Sequence, residues 1–235
     1  MKYVYRLLMA CAVLSLPLLG STKRYEVRSG EIEYKIEGGG KMIGMQTSTS
    51  GTKTVVFQDW GNVEVSESKE TTKMTGQQPQ SEHTLVKFDN GKVYSVDFED
   101  KVIYFHDVMQ GGYDKTSQNY TRYGRDMLEK NGGKRVGSEK VLGYNCEVWE
   151  WQGIKMWVYK GVMLKTASNM MGVTHTETAT KAKFDVTIAS ERFVLPKYPV
   201  KKTDDMYEEA LEGEDMSEEE KAQAKELMKS FGFGQ

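Results

Sequence analysis

The side chains able to do chemistry are few and scattered. His83, His106 and His175 stand alone in separate segments, with no His-x-His or His-Glu-x-x-His pair. A zinc centre needs three or four converging ligands, and no local stretch supplies them. Methionine is abundant, with 14 in the chain, and thioether sulfur suits Cu(I). Met42 and Met45 have a tempting Met-x-x-Met spacing. On one strand, however, positions i and i+3 point to opposite faces, and Met170-Met171 is split likewise. Filling core gaps or softly lining a lipid pocket is the expected role. Asp97, Glu99 and Asp100 cluster where a hairpin should turn. Gly38-Gly39-Gly40 is followed by no Lys-Ser/Thr and no helical pattern, so it is not a phosphate loop. No Gly-x-Ser-x-Gly elbow occurs. These residues predict a protein without catalytic centre, metal or cofactor.

The elements that would position any site are strands. From Gly143 to Ala167, three short runs with period-two patterning are parted by Gln152-Gly153 and Lys160-Gly161, which reads as a tight antiparallel meander. Along the first run Trp149 and Trp151 oppose Cys146 and Val148; along the second, Trp157 and Tyr159 oppose Met156 and Val158. Apolar bulk on both faces implies a sheet covered on two sides or curved around something. Trp149, Trp151, Trp157 and Tyr159, or the opposite face of the same strands, are the candidate lining for an apolar ligand.

Upstream, Ile32, Tyr34 and Ile36 alternate with charged residues and should form one buried face. The glycine triplet and then Gly51 read as turns flanking a run from Lys41 to Ser50. Asn90-Gly91 between alternating runs predicts a type I′ hairpin. Tyr120, Tyr123, Met127 and Leu128 recur at helical spacing within about 114–130, stopped by Gly132-Gly133. In the last long strand, Thr174, Thr176, Thr178 and Thr180 fall in phase with Ala182, Phe184 and Val186. That row would line a mildly polar cavity or simply reflect β propensity, and the second reading is favoured. Pro196 and Pro199 should end the domain.

Beyond Lys201 the composition turns to Glu, Lys, Met and Ala. Ser217 with Glu220 forms a capping box, and Ala224, Leu227, Met228 and Phe231 form one apolar stripe. This tail is a candidate lid, a partner-binding helix or a helix docked on its own domain.

Lys2 and Arg6 precede an apolar stretch from Leu7 to Leu19, the pattern of a secretory signal, with small residues for cleavage at Gly20 and Ser21. The stretch is shorter than a spanning helix requires. Leu8-Met9-Ala10-Cys11 loosely matches a lipobox, but processing there would leave a very short apolar region. After cleavage Cys146 is the single thiol, so no internal disulfide can form, and burial is its expected state. The domains expected are a signal at 1–21, a β domain at 22–200 and an acidic helical tail at 201–235. A net charge of −2 with interspersed signs selects no nucleic acid and no anionic membrane surface.

About eleven meandering strands with one inserted helix behind an export signal resemble the LolA/LolB-like superfamily of envelope lipid and lipoprotein carriers. The run Gly137 to Trp151, the following Met156-Trp157-Val158 and the closing Phe193-Val194-Leu195-Pro196 carry the likeness. It implies a mostly β, half-open antiparallel barrel whose concave face holds acyl chains, with helices plugging the opening. The expected function is a monomeric, non-enzymatic periplasmic carrier of a lipid or other apolar small molecule. The alternative is an envelope interaction module with a filled barrel and a tail helix that recruits an envelope protein. N-terminal sequencing of the exported chain should give a start near Ser21 or Thr22; a lipid-bearing Cys11 start would overturn the soluble reading.

Overall fold

The computed structural model describes residues 23–42, 45–107, 120–170 and 172–203. Strands β1 (Gly30–Met42), β2 (Met45–Gln58), β3 (Val63–Met74), β4 (Gln80–Asp89), β5 (Lys92–Asp97) and β6 (Val102–Asp107) precede one helix, α1 (Tyr120–Lys130). Strands β7 (Lys134–Val141), β8 (Tyr144–Trp151), β9 (Ile154–Tyr159), β10 (Val162–Met170), β11 (Val173–Phe184) and β12 (Val200–Lys202) follow it. All twelve join one sheet in the order β12-β6-β5-β4-β3-β2-β1-β11-β10-β9-β8-β7. The sheet does not close, so β7 and β12 are its edges. The fold is mostly β, open and barrel-like, as the strand pattern predicts.

Local chemistry explains most boundaries. Asn90-Gly91, Gln152-Gly153 and Lys160-Gly161 all have two successive left-handed residues, the geometry of type I′ hairpins. Helix α1 ends where Gly132 turns left-handed, and the Gly133 N–H returns to the Leu128 carbonyl at 2.6 Å. The N-terminal part of the expected helix, 114–119, lies outside the described residues. So do the export segment and the tail stripe Ala224, Leu227, Met228 and Phe231.

Three expectations about breaks are corrected. The glycine triplet lies inside β1 and Gly51 lies inside β2. Both are places where neighbours leave no room for a side chain. A Cβ on Gly40 would fall 2.0 Å from the Gly172 carbonyl oxygen, and one on Gly51 would meet Glu70 Cγ at 2.8 Å. Strand β1 therefore runs on to Met42, which pairs directly with Met45 at the start of β2. Nor do the prolines end the sheet. After Pro199 the chain returns as β12, parallel to β6, and shields part of that edge.

Ile32, Tyr34 and Ile36 are buried as expected. They belong to a face whose apolar cluster includes Val55 and Phe57 of β2, Leu164 of β10, and Val148 and Trp157 of β8 and β9. The strap Lys23–Ser29 covers one end of this face with Tyr25 and Val27. Its attachment is polar: Arg24 Nη1 donates to the Gly61 carbonyl at 2.6 Å, and the Tyr25 hydroxyl donates to Glu64 Oε2 at 2.5 Å. Arg24 also lies 3.7 Å from Glu64 and 4.3 Å above the Phe88 ring. The opposite face carries a smaller cluster of Val56, Val65 and Phe193, the last from the turn Ser190–Phe193 after β11.

Gly30 sits between two rings of the larger core, with Phe57 and Phe184 carbons 2.6 Å and 2.9 Å from where a Cβ would stand. Gly30→Ala should therefore cost about 1–3 kcal/mol of overpacking, read as a lowered melting temperature. Gly137→Ala, with nothing within 4 Å, should leave it nearly unchanged.

Candidate ligand-binding surface

Register decides which of the meander's aromatic residues can act together. In the β8–β9 ladder Val148 faces Trp157, and Trp149 faces Met156. Residues opposed in a rung share a face. Trp157 and Tyr159 thus join Val148, whereas Trp149 and Trp151 lie on the other side. The four sequence candidates form two pairs, not one lining.

Trp157 is buried, and its indole N–H donates to Glu139 Oε2 at 2.8 Å. Lys165 Nζ lies 4.4 Å over the same ring. Tyr159 is half-buried and forms a triangle with Tyr144 and Phe184, ring centroids 4.8, 5.1 and 5.2 Å apart. These three rings sit at the margin of the larger core. On the other face Trp149 is buried, and its indole donates to Glu147 at 3.3 Å. Trp151 donates to the Asn131 carbonyl just past α1, and Arg125 of α1 pairs with Glu147 at 3.1 Å. Helix α1 is therefore tied to the Trp149–Trp151 side. Arg125 also reaches Glu26 of the strap at 3.6 Å.

Sequence reasoning missed a half-buried polar group further along the face that bears Tyr34. Pairing places Lys53 opposite Tyr34, and Glu177 opposite Ile36. Lys53 Nζ and Glu177 Oε2 are 2.9 Å apart, and His175 lies 3.8 Å from Glu177. Glu70 faces the same space from β3, directly opposite Glu82 on β4. Burial raises the Glu70 carboxyl, and Glu177 and Glu82 add to that. Burial alone would raise Glu177 also, but His175 and the Lys53 ammonium hold it at about 2, below its ordinary 4.5. Contact with Glu177 raises His175 above its ordinary 6.5, against the effect of burial.

A β-bulge explains the omission. Between Glu33 and Tyr34 the β1–β11 register slips by one residue, leaving Thr180 unmatched. Alternation along β11 reverses there. Glu177 and Ala179 face inward with Ile36 and Tyr34, and Thr176 and Thr178 pair with Glu37 and Lys35 on the other side. The threonine row is thus not in phase with Ala182 and Phe184, and its first and last hydroxyls bond the β1 backbone at Gly39 and Glu33.

The remaining candidates have ordinary surroundings. His83 stacks on Phe98 with centroids 3.8 Å apart and bonds Glu67 at 2.7 Å. Asp97 accepts the N–H groups of Glu99 and Asp100, which makes this carboxylate cluster a turn. Cys146 is buried, and burial pushes its thiol up, which suits an inert side chain. Among the described residues no three His, Cys, Asp or Glu side chains are grouped to hold a metal ion. A hollow of about 310 Å³ on the β3–β4 hairpin is lined by the polar and charged residues Lys69, Glu70, Thr71, Ser81, Glu82 and His83. No helix among the described residues is long and apolar enough to cross a membrane.

An open, mostly antiparallel sheet with, among the described residues, one α-helix inserted between its halves is the class that the fold defines. No family model matches the chain, and no curated protein matches it. Solved structures do match. An uncharacterized conserved protein from Thermus thermophilus is 8% identical, over 73% of this chain and 90% of that one, with a TM-score of 0.42. LprF from Mycobacterium bovis is 10% identical over 71% and 90% of the two chains, with a TM-score of 0.30. A third, from Vibrio parahaemolyticus, is described as an outer membrane lipoprotein-sorting protein domain. It is 12% identical over 72% and 91%, with a TM-score of 0.18. At these values the likenesses carry no activity, ligand or partner across to this chain.

The Glu177 cluster gives stability a defined pH window. A depressed carboxyl stabilises above its unfolded value, and that contribution is lost as pH falls from 4.5 toward 2. A raised imidazole stabilises below 6.5, and its contribution is lost as pH rises through the higher folded value. The melting-temperature gap between wild type and Glu177→Gln should be widest between 4.5 and 6.5 and shrink on both sides. A gap that does not vary with pH would show that the cluster is not coupled to folding.

Proposed function

We propose that this protein is a non-enzymatic carrier in the bacterial periplasm that binds an acyl chain, a lipid or another apolar ligand. The observation that supports this reading is the half-buried triangle of Tyr144, Tyr159 and Phe184. It stands at the margin of a continuous apolar face on a sheet that does not close. Burying a chain methylene against such rings contributes about 0.8 kcal/mol, so a long acyl chain suffices for binding without any covalent step. In this reading Tyr159 and Trp157 belong to one wall, and Trp149 and Trp151 serve the face tied to α1. The signal 1–21 is removed, the domain spans 22–200, and tail 201–235 lays Ala224, Leu227, Met228 and Phe231 over the opening as a lid.

A second reading has a specific observation behind it. Tyr25 and Val27 of the strap already fill one end of the apolar face, which suits an envelope interaction module whose barrel is packed by its own side chains. Native mass spectrometry of protein isolated from its own periplasm separates the two. A carrier should show a lipid-sized mass adduct, and Tyr159→Ala should weaken binding of a fluorescent fatty acid about tenfold, the scale of one lost aromatic contact. No adduct and no fatty-acid binding by the wild type would overturn the carrier reading.

A further inference from the structure

We propose that the end of the sheet crossed by the strap Lys23–Ser29 is a docking surface for an anionic lipid bilayer, held by Leu142, Trp60 and the cations Lys23, Arg28 and Lys160. Such a surface is independent of any cargo and stands apart from the carrier reading.

Backbone strain marks the place. Among the described residues eight non-glycine positions have φ between 47° and 54°. Six of them are Asp, Asn, Lys or Gln, polar side chains that a surface turn accommodates. The other two, Trp60 and Leu142, are bulky and apolar, and for such residues the left-handed region is unfavourable. Both stand at hairpin tips at the same end of the sheet, Trp60 between β2 and β3 and Leu142 between β7 and β8. Leu142 is 47% exposed, so the core gives it little in return. At the β4–β5 tip of this end the chain uses Asn90, which the same geometry favours. An apolar residue that is both strained and exposed serves a contact outside its own domain.

The strap joins these tips into one surface. The Trp60 carbonyl accepts the Tyr25 N–H at 3.0 Å, and the Lys160 carbonyl at the β9–β10 tip accepts the Glu26 N–H at 2.9 Å. Lys160 follows Tyr159, whose ring lies 4.8 Å from that of Tyr144, two residues beyond Leu142. Three exposed cations lie along this path with no carboxylate partner among the described residues. Lys23 Nζ is 4.5 Å over the Trp60 ring, Arg28 is 5.8 Å from the same ring, and Lys160 Nζ is 5.5 Å over Tyr159. Acidic groups of this end are engaged by the protein itself: Glu26 by Arg125 at 3.6 Å, Asp89 by Lys87 at 3.0 Å, and Asp185 by the Arg28 N–H at 3.0 Å.

A net charge of −2 gives the whole chain no preference for anions, so the asymmetry is local. Aromatic rings settle at the headgroup level of a bilayer, and each Lys or Arg there is drawn to anionic lipid. An acidic protein surface would use the cations but leave the strained, exposed Leu142 without a purpose. Lipid takes both.

The test is flotation of the isolated protein with vesicles of phosphatidylglycerol and phosphatidylcholine, compared with phosphatidylcholine alone, at low and high salt. Binding should require the anionic lipid and weaken with salt, because exposed charges are screened. Leu142→Asn puts a residue suited to the left-handed region before Gly143. Its melting temperature should hold or rise while vesicle affinity falls about tenfold, the scale of withdrawing one leucine from an apolar contact. Better folding with weaker binding is a pairing that a merely structural role cannot give. Lys23→Gln/Arg28→Gln/Lys160→Gln should lose about fivefold for each cation, about a hundredfold together. Met170→Gln, at the far end of β10 and 62% exposed in the wild type, should float unchanged. The apolar stretch Leu7 to Leu19, where retained, adds the same affinity to every variant and cannot produce this ranking. The surface is overturned if the wild type does not float with the anionic vesicles or floats equally with neutral ones. It is overturned also if the Leu142 or triple variant binds undiminished, or if Met170→Gln falls as far as they do.

Discussion

The fold depends on the long-range seam that joins its two runs of strands. Strands β2 to β6 neighbour each other in sequence order, and so do β7 to β11. Only β1 joins the two runs, pairing with β2 on one side and β11 on the other. The β1–β11 ladder brings together Gly30 and Phe184. Loop closure over such a span is costly, though the cost grows only slowly with length. Complete burial of Ile32 and Ile36 on this strand supplies a compensating apolar gain at the seam itself. The strap, which immediately precedes β1, is then held at the same end by Arg24 and Tyr25.

One bulge on that seam divides the face into two chemistries. On the strap side of it Ala182 and Phe184 extend the apolar cluster. Past Ala179, beyond the bulge, the same face receives Glu177 and His175, with Lys53 and Glu70 across the ladders. Half-burial of opposite charges is tolerated because Lys53 and Glu177 are in direct contact, leaving neither as an isolated charge. An amphiphile laid along this face would meet aromatic rings at one end and a polar group at the other.

Legibility in the sequence followed the range of the interaction. Hairpins were readable because Asn90-Gly91 and Lys160-Gly161 state their own backbone geometry. The Ile32–Tyr34–Ile36 face was readable from alternation alone. The glycine triplet and Gly51 misled because the same residue serves a turn or a crowded strand, and only the Gly172 carbonyl and the Glu70 side chain decide between them. The phase of β11 was hidden by an extra residue that leaves no mark in composition. Trp149, Trp151, Trp157 and Tyr159 were correctly sided along each strand, but their division between two faces of the sheet is a property of pairing between strands. The Met42–Met45 rung was hidden for the same reason, since it is set by the pairing of β1 with β2 and not along one run.

The charged residues of β1 have a meaning in time as well as in space. During synthesis β1 emerges long before β11, whose first residue is Val173. Until then one side of β1 is a bare edge, open to pairing with another chain. Glu31, Glu33, Lys35 and Glu37 line the solvent face of that edge, and charges at such positions oppose strand addition by strangers. In the finished sheet Arg192 and Lys181 neutralise two of them, pairing with Glu31 at 2.7 Å and Glu33 at 2.9 Å. The late-arriving segment thus brings the countercharges with it, and the guard on the early strand is discharged only by its proper neighbour.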